Sequence, residues 1–256
     1  MQTASGTVGR TLPFTRVFNF RDLGGYPARD GRRVRWRRLF RSDALANLTP
    51  AEWDAVAALG LRTVIDLRRR PELSQGPPET PLAQVSHLHF PAGHDQHRAD
   101  LAWDACDPGE GLARFIADRY LDMVECSRAA FGAALRVIAE PSRAPLVVQC
   151  HAGRDRTGVL VALTLALLGV ADQDIAQDYA RSAAAEERYN AWLRRQDPKA
   201  QLPAAHLVAT PAEAMLLFLA GLRQRYGRVE QCAAVPGETV AQLRRHLLDA
   251  GDPHES

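Results

Sequence analysis

The chain has 256 residues, 46% of them hydrophobic and 24% charged, and its 32 basic and 30 acidic side chains leave a formal net charge of +2. That is long enough for one sizeable core, and the balance excludes both intrinsic disorder and collagen-like repetition. No bulk charge points to nucleic acid or an anionic membrane as a partner.

Residues 1–16 lack the apolar stretch of a secretory signal peptide. Residues 14–26 (FTRVFNFRDLGGY) start strand-like and end on the turn signal Gly24-Gly25. Residues 33–40 (RVRWRRLF) alternate well enough for a second strand or β-ribbon, and their charge predicts an edge or surface element. Thr49, Pro50 and Glu52 form a capping-box signature that opens a short helix through Ala58, stopped by Gly60. Residues 63–67 (TVIDL) suit a buried strand ending in the charged turn 68–72, and residues 85–91 (VSHLHFP) a further strand before a polar loop.

From 111 to 140 the apolar spacing is helical, and Pro141 ends it. Residues 145–149 (PLVVQ) are the clearest core strand. A seven-residue loop, 150–156, follows, and an apolar helix begins at Thr157. The run 159–170 within it is too short to span a bilayer and suits a buried core helix. Further helices are expected over 172–187, 211–226 and 238–249. This order implies an α/β fold: a central, mostly parallel sheet wrapped by helices. With no internal repeat or linker, a single domain over 1–256 is expected, irregular over 1–48, with residues 186–210 as a helical lid or a plain packed helix and loop.

Cys106, Cys126, Cys150 and Cys232 are widely spaced, with no CxxC pair and no zinc pattern, which suits a reduced, cytoplasmic setting. One of them stands out. In VVQCHAGRDRTGV (147–159) a buried strand ends at Gln149, Cys150 follows at once, and a helix starts near Thr157. A loop between a strand end and a helix N-terminus at this spacing can curl into a cradle. Its backbone N–H groups then point inward and the helix dipole adds positive potential. Gly153 permits the backbone conformation such curling demands.

Cys150 would sit at the bottom of that cradle. A free thiol is only a few per cent thiolate at neutral pH, and the N–H groups, dipole and guanidinium groups should favour the nucleophilic thiolate. Arg156 can hold two phosphoryl oxygens with its planar fork. The Thr157 hydroxyl can hydrogen-bond the sulfur when the thiolate leaves.

The CX5R run in CHAGRDRTG resembles the phosphate loop of the protein tyrosine phosphatase superfamily. It is most similar to a branch with the pattern HCxxGKDRTG, which includes bacterial atypical tyrosine, dual-specificity and phosphoinositide phosphatases. FNFRDLGGY (18–26), FRSDAL (40–45) and VIDLRRRPE (64–72) resemble the same branch. The resemblance implies a tyrosine-phosphatase-like fold and a cysteinyl-phosphate mechanism with no cofactor and no metal. The substrate it implies is a phosphorylated protein or a phosphoinositide. It implies phosphate binding by His151, Ala152, Gly153, Arg154, Asp155 and Arg156, catalysis by Cys150, Arg156 and Asp155, and stabilisation of the leaving thiolate by Thr157. Two positions depart from the pattern: Gln149 replaces a histidine and Arg154 a lysine.

The leaving group needs a proton. Asp155 inside the loop is the favoured acid. Asp95, in the loop after the 85–91 strand, is the alternative, and Asp100 and Asp104 are weaker ones. Arg21, Asp22, Asp66 and Arg68 can line the pocket or serve as structural ion pairs, as can Asn19, Arg41, Ser42 and Asp43. His87, His89, His94 and His97 are set aside as metal ligands because no carboxylate spacing supports a site. Cys106, Cys126 and Cys232 are expected to be unreactive. The rival readings are a catalytically silent phosphate-binding module and, less favoured, a sulfurtransferase.

Overall fold

The computed structural model describes residues 9–73, 82–93 and 111–249. Its centre is a five-stranded sheet in the order β1-β2-β5-β3-β4, built from β1 (Arg21–Asp22), β2 (Leu39–Ser42), β3 (Thr63–Asp66), β4 (Ser86–His89) and β5 (Leu146–Gln149). β1 runs antiparallel to β2, and every other pairing is parallel.

Alternation along each strand divides the core. Phe40, Val64 and Val147 face a smaller apolar layer with Val17, Phe20, Trp53 and Val56, the last two from α1 (Pro50–Ala58). Leu39, Ile65 and Val148 face the larger layer. That layer is formed by α3 (Leu112–Cys126), α4 (Arg128–Ala139), α5 (Asp155–Leu168), α6 (Asp172–Ala180), α9 (Ala212–Tyr226), α10 (Val229–Cys232) and α11 (Gly237–Leu247). α5 is buried on nearly every face, as its all-round apolar composition requires, and ends on Gly169 at φ +89°. Three elements complete the described chain: α2 (Arg70–Leu73), α7 (Ser182–Gln196) and α8 (Ala205–Val208). Among the described residues no helix is long and apolar enough to cross a membrane.

The capping box on α1 forms as read, with Thr49 Oγ1 accepting from the Glu52 N–H while the Glu52 carboxylate accepts from the Thr49 N–H. Other expectations need correction. The strand expected over 33–40 begins only at Leu39, and it is a buried interior strand, not an edge. Its charged residue, Arg41, is tolerated there because the Asp178 carboxylate meets it at 2.6 Å. Only Arg21–Asp22 of the 14–26 segment pairs as a strand. The 111–140 helix is broken at Ser127, whose hydroxyl accepts the Gly93 N–H at 2.9 Å. The 172–187 helix breaks at Arg181, and the helix after the loop starts at Asp155, two residues early.

The register sets up the site. Ser42, Gln149 and Asp66 stand side by side at the C-terminal ends of β2, β5 and β3. The chain leaving β5 therefore emerges between two parallel neighbours, at the sheet edge where open α/β folds bind ligands.

Candidate active site

Cys150 follows β5 directly and is 2% exposed. The loop after it is stitched to both flanking strands: Ala44 N–H donates to His151 O at 3.1 Å, and Leu67 N–H donates to Gln149 O at 2.9 Å. Asn19 Nδ2 donates to the carbonyls of Ala152 and Gly153, both at 3.0 Å, and Arg41 Nη2 reaches Gly153 O at 2.8 Å. Three successive carbonyls, from His151 to Gly153, are thus engaged on the outside of the loop. In a planar trans peptide the C=O and N–H point in opposite directions. The N–H groups of Ala152, Gly153 and Arg154 consequently turn inward, toward the N-terminus of α5 with its own free N–H groups. Gly153 takes φ +63°, and a Cβ there would lie 2.4 Å from the Ser42 backbone, so the curl requires glycine.

A buried ionic frame fixes this geometry. Asp178 binds Arg21 Nε at 3.0 Å and Arg41 Nη1 at 2.6 Å, and accepts the Tyr26 hydroxyl at 3.0 Å. Burial alone would raise the Asp178 carboxyl, but the two guanidiniums outweigh it and hold it far below the usual range. Burial, and next the Asp178 charge, push the Tyr26 phenol up to about 12. On the other side, Gln149 bridges Leu45 N–H (2.9 Å, accepted) and Asp66 Oδ2 (2.9 Å, donated). Asp66 is also bound by Arg68 and His87, and their donors overcome its burial to hold it below the ordinary carboxylate range. The Gln149 departure thus retains a structural hydrogen-bonding role at both ends.

Two guanidiniums, those of Arg41 and Arg156, interact electrostatically with Cys150. Thr157, on the first turn of α5, is fully buried, and its hydroxyl has no hydrogen-bond partner among the described residues. Arg156 donates through Nη1 and Nη2 to the two carboxylate oxygens of Glu72 on α2, at 2.5 and 2.7 Å. Burial pushes the Glu72 carboxyl up, but Arg156 and Arg69 bring it down to about 2. The Asp155 carboxylate receives the Tyr120 hydroxyl at 2.6 Å and Arg154 Nε at 3.1 Å. Arg154 also donates to Leu207 O at 3.1 Å and pairs with Glu186 at 3.6 Å, tying the loop to α7 and α8.

Along His151, Ala152 and Arg154 opens a cavity of about 570 Å³ walled by Phe18, Tyr189, Trp192, Leu193, Leu207 and Val208. The Phe18 ring sits 5.7 Å from Tyr189 and 6.0 Å from Trp192, and the Arg16 guanidinium lies over Trp192 at 5.3 Å. Asp43 contributes a buried carboxylate that accepts the N–H groups of Phe18 and Asn19. Burial pushes it up to about 6.

The structure brings together the whole 150–157 run that the sequence marks out. It adds Glu72, Tyr120, Tyr179 and Asp178, which sequence reasoning missed as site residues. Arg21, Asp22, Asp66 and Arg68 are all buried and engaged in ion pairs or backbone contacts, and none of them lines the cavity. His87 meets Asp66, and His89 Nε2 lies 2.7 Å from Arg68 O. Cys232 is buried, its thiol pushed up to about 11 by that burial, and Cys126 is exposed; both are free. Asp95, Asp100, Asp104, His94, His97 and Cys106 lie outside the described residues.

The chain matches the model of the tyrosine phosphatase family over residues 12–249. It is 32% identical over 256 residues to a Cupriavidus necator protein provisionally named a tyrosine-protein phosphatase, covering 96% of this chain and 91% of the relative. It is 30% identical over 195 residues to the triple specificity protein phosphatase PtpB of Mycobacterium tuberculosis, covering 68% of each. Among solved structures, the catalytic domain of the Saccharomyces cerevisiae PP-IP phosphatase Siw14 gives a TM-score of 0.40 at 14% identity, over 82% of this chain and 93% of that one. With a family match over nearly its whole length, the chain belongs to the tyrosine phosphatase family.

Proposed function

We propose that this phosphatase cleaves phosphomonoesters in two steps through a phosphorylated Cys150, with aryl phosphates, phosphotyrosine foremost, as its substrates. The Cys150 thiolate attacks phosphorus, an S–P bond forms and the ester P–O bond breaks. Asp155 gives its proton to the leaving oxygen. Water then attacks phosphorus, the S–P bond breaks, the water proton passes to the Asp155 carboxylate and phosphate departs. Arg156 and the loop N–H groups hold the phosphoryl oxygens in both steps, and Thr157 donates to the departing thiolate.

The observation that carries this reading is the buried Cys150 at the head of a loop whose carbonyls are held from outside by Ala44, Asn19 and Arg41, followed by a helix whose Thr157 hydroxyl has no hydrogen-bond partner among the described residues. The aromatic wall of the adjacent cavity supports a flat leaving group. Arg154, the extra cation that would suit a second phosphate, already donates through Nε to Asp155 and through Nη2 to Leu207 O; its Nη1, 3.6 Å from Glu186, has no hydrogen-bond partner among the described residues. α7 and α8, tethered through Arg154, are the lid of this reading. A reaction that runs on a free thiolate needs a reducing compartment, which supports a cytoplasmic location.

The test is hydrolysis in EDTA of an aryl phosphate, a phosphotyrosine peptide, a phosphoserine peptide and phosphatidylinositol phosphate vesicles. Wild type should turn over the two aryl substrates fastest, and Cys150→Ser should abolish all turnover. Vesicles hydrolysed faster than the phosphotyrosine peptide would overturn the substrate assignment. Wild type that binds phosphate yet turns over nothing would identify a silent module, in which the Glu72 pair keeps Arg156 permanently engaged.

A further inference from the structure

The Asp155 carboxylate meets a buried pair of phenols as well as the loop. Tyr120, on α3 and fully buried, donates its hydroxyl proton to Asp155 Oδ1 at 2.6 Å. Its oxygen lies 2.8 Å from the Tyr179 hydroxyl, on α6. Each phenol has one proton, and that of Tyr120 is committed to Asp155. Tyr179 must therefore be the donor in the second bond, and the chain of donors runs one way, from Tyr179 through Tyr120 to Asp155.

Packing holds this chain rigid. The two rings meet edge to face with centroids 5.9 Å apart, and Phe218 on α9 meets the Tyr120 ring in the same way at 5.9 Å. Tyr179 approaches α5 over Gly158, where an added Cβ would come within 3.2 Å of the Tyr179 ring. Burial, and then the Asp155 charge, hold the Tyr120 phenol well above its usual range, so it remains a donor at any assay pH. Charged and titratable groups approach Asp155 from the other directions too: Arg154 and Arg156 on the loop and Glu186 on α7, with Arg41 of β2 behind Tyr179.

We infer that Tyr120 is the positioning residue for the general acid: its hydroxyl holds Oδ1 throughout the cycle, while Arg154 Nε braces both oxygens, at 3.3 Å from Oδ1 and 3.1 Å from Oδ2. This rests on the assignment of Asp155 as the acid. The Tyr120 bond fixes the carboxylate plane, and it stabilises the anion formed when the proton leaves, which makes Asp155 a better donor to the leaving group.

The sign of the effect follows. Removing the hydroxyl takes a donor from the ionised form, so the acid should stay protonated to higher pH. In Tyr120→Phe the basic limb of the kcat profile should move up by about one pH unit, the worth of one hydrogen bond to a charged group. KM should hold. On the plateau below that limb, kcat should fall roughly tenfold for a phenyl phosphate and only a few-fold for p-nitrophenyl phosphate, whose leaving group needs a proton least. Tyr179→Phe should shift the limb the same way by less.

The experiment is a set of pH–rate profiles on both substrates for wild type, Tyr120→Phe, Tyr179→Phe and Asp155→Asn, with melting curves for each. A basic limb unmoved in folded Tyr120→Phe, while Asp155→Asn abolishes that limb, overturns the positioning role and leaves the acid assignment standing. An Asp155→Asn enzyme that keeps the wild-type limb overturns the acid assignment and this inference with it. Should Tyr120→Phe fail to fold, Tyr179→Phe decides, and an unmoved limb there overturns the inference.

Discussion

At the scale of single residues, Glu72 is the least expected member of the site. It takes both terminal nitrogens of Arg156, the same fork that we propose binds the phosphoryl oxygens. With its carboxyl held at about 2, Glu72 stays ionised at any working pH and so competes with a phosphate dianion for those donors. Glu72→Gln should therefore bind inorganic phosphate roughly tenfold more tightly, the order of one charge-assisted hydrogen bond. The competitive inhibition constant of phosphate measures this directly, and weaker inhibition would mean that Glu72 instead holds Arg156 ready for substrate. Little in the sequence exposes this pair. Glu72 sits in a run of arginines that reads as a solvated turn, and its partner is 84 residues away. Tyr120 is hidden for a related reason, because it fills a core position of the apolar stripe on α3 and nothing local says where its hydroxyl goes. Cys150, Gly153, Arg156 and Thr157 were legible because the cradle is one contiguous stretch whose chemistry depends on order and spacing alone.

Among the elements, those closed by local contacts were readable and those shaped by distant ones were not. The capping box of α1 joins residues three apart, and the apolar run of α5 announces a buried helix within its own length. The 33–40 run reads as an edge strand for its four arginines, which precede β2 and are not buried, whereas the strand itself starts at Leu39. Arg41 is buried only because Asp178, 137 residues later, neutralises it. The breaks at Ser127 and Arg181 likewise interrupt a periodicity that runs through them unchanged. The seam that matters most for catalysis is the one between β2 and the loop after β5, where Gly153 lies against Ser42 and Asp43. Gly153→Ala would combine a left-handed backbone with a Cβ 2.4 Å from backbone atoms that cannot swing away. The loop must then lift off β2, which should cost about 3 kcal/mol of stability and at least ~100-fold in kcat/KM, since a displacement of about 1 Å suffices for that loss. Melting temperature and steady-state kinetics test both halves, and near-normal activity would show that the cradle does not depend on this seam.

For the whole molecule, the cost of building this site appears as a dependence of stability on pH. Asp43 is fully buried, and its carboxyl is raised to about 6 by that burial, against about 3.8 when unfolded. A group whose folded value is raised contributes stability that is fully present below the unfolded value and lost as the pH climbs through the folded one. Asp43 should therefore withdraw about 3 kcal/mol between pH 4 and pH 6, after which its contribution is flat. Asp178, Asp66 and Glu72 are lowered in the fold, so their stability is present above their unfolded values and lost as the pH falls below them. The two windows meet only between 3.8, the unfolded value of the aspartates, and 4.5, that of Glu72. His246, which burial lowers, works against Asp43 near pH 6, so the comparison must be between slopes rather than absolute values. Between pH 4.5 and pH 7, the stability of Asp43→Asn in urea unfolding should fall less steeply than that of wild type, whatever constant offset the amide introduces, the remaining fall coming from Asp22 and Glu186, which burial also raises. Identical slopes in the two proteins would mean that Asp43 is ionised in the fold at little cost. The two backbone N–H groups it accepts would then have compensated for its burial in full.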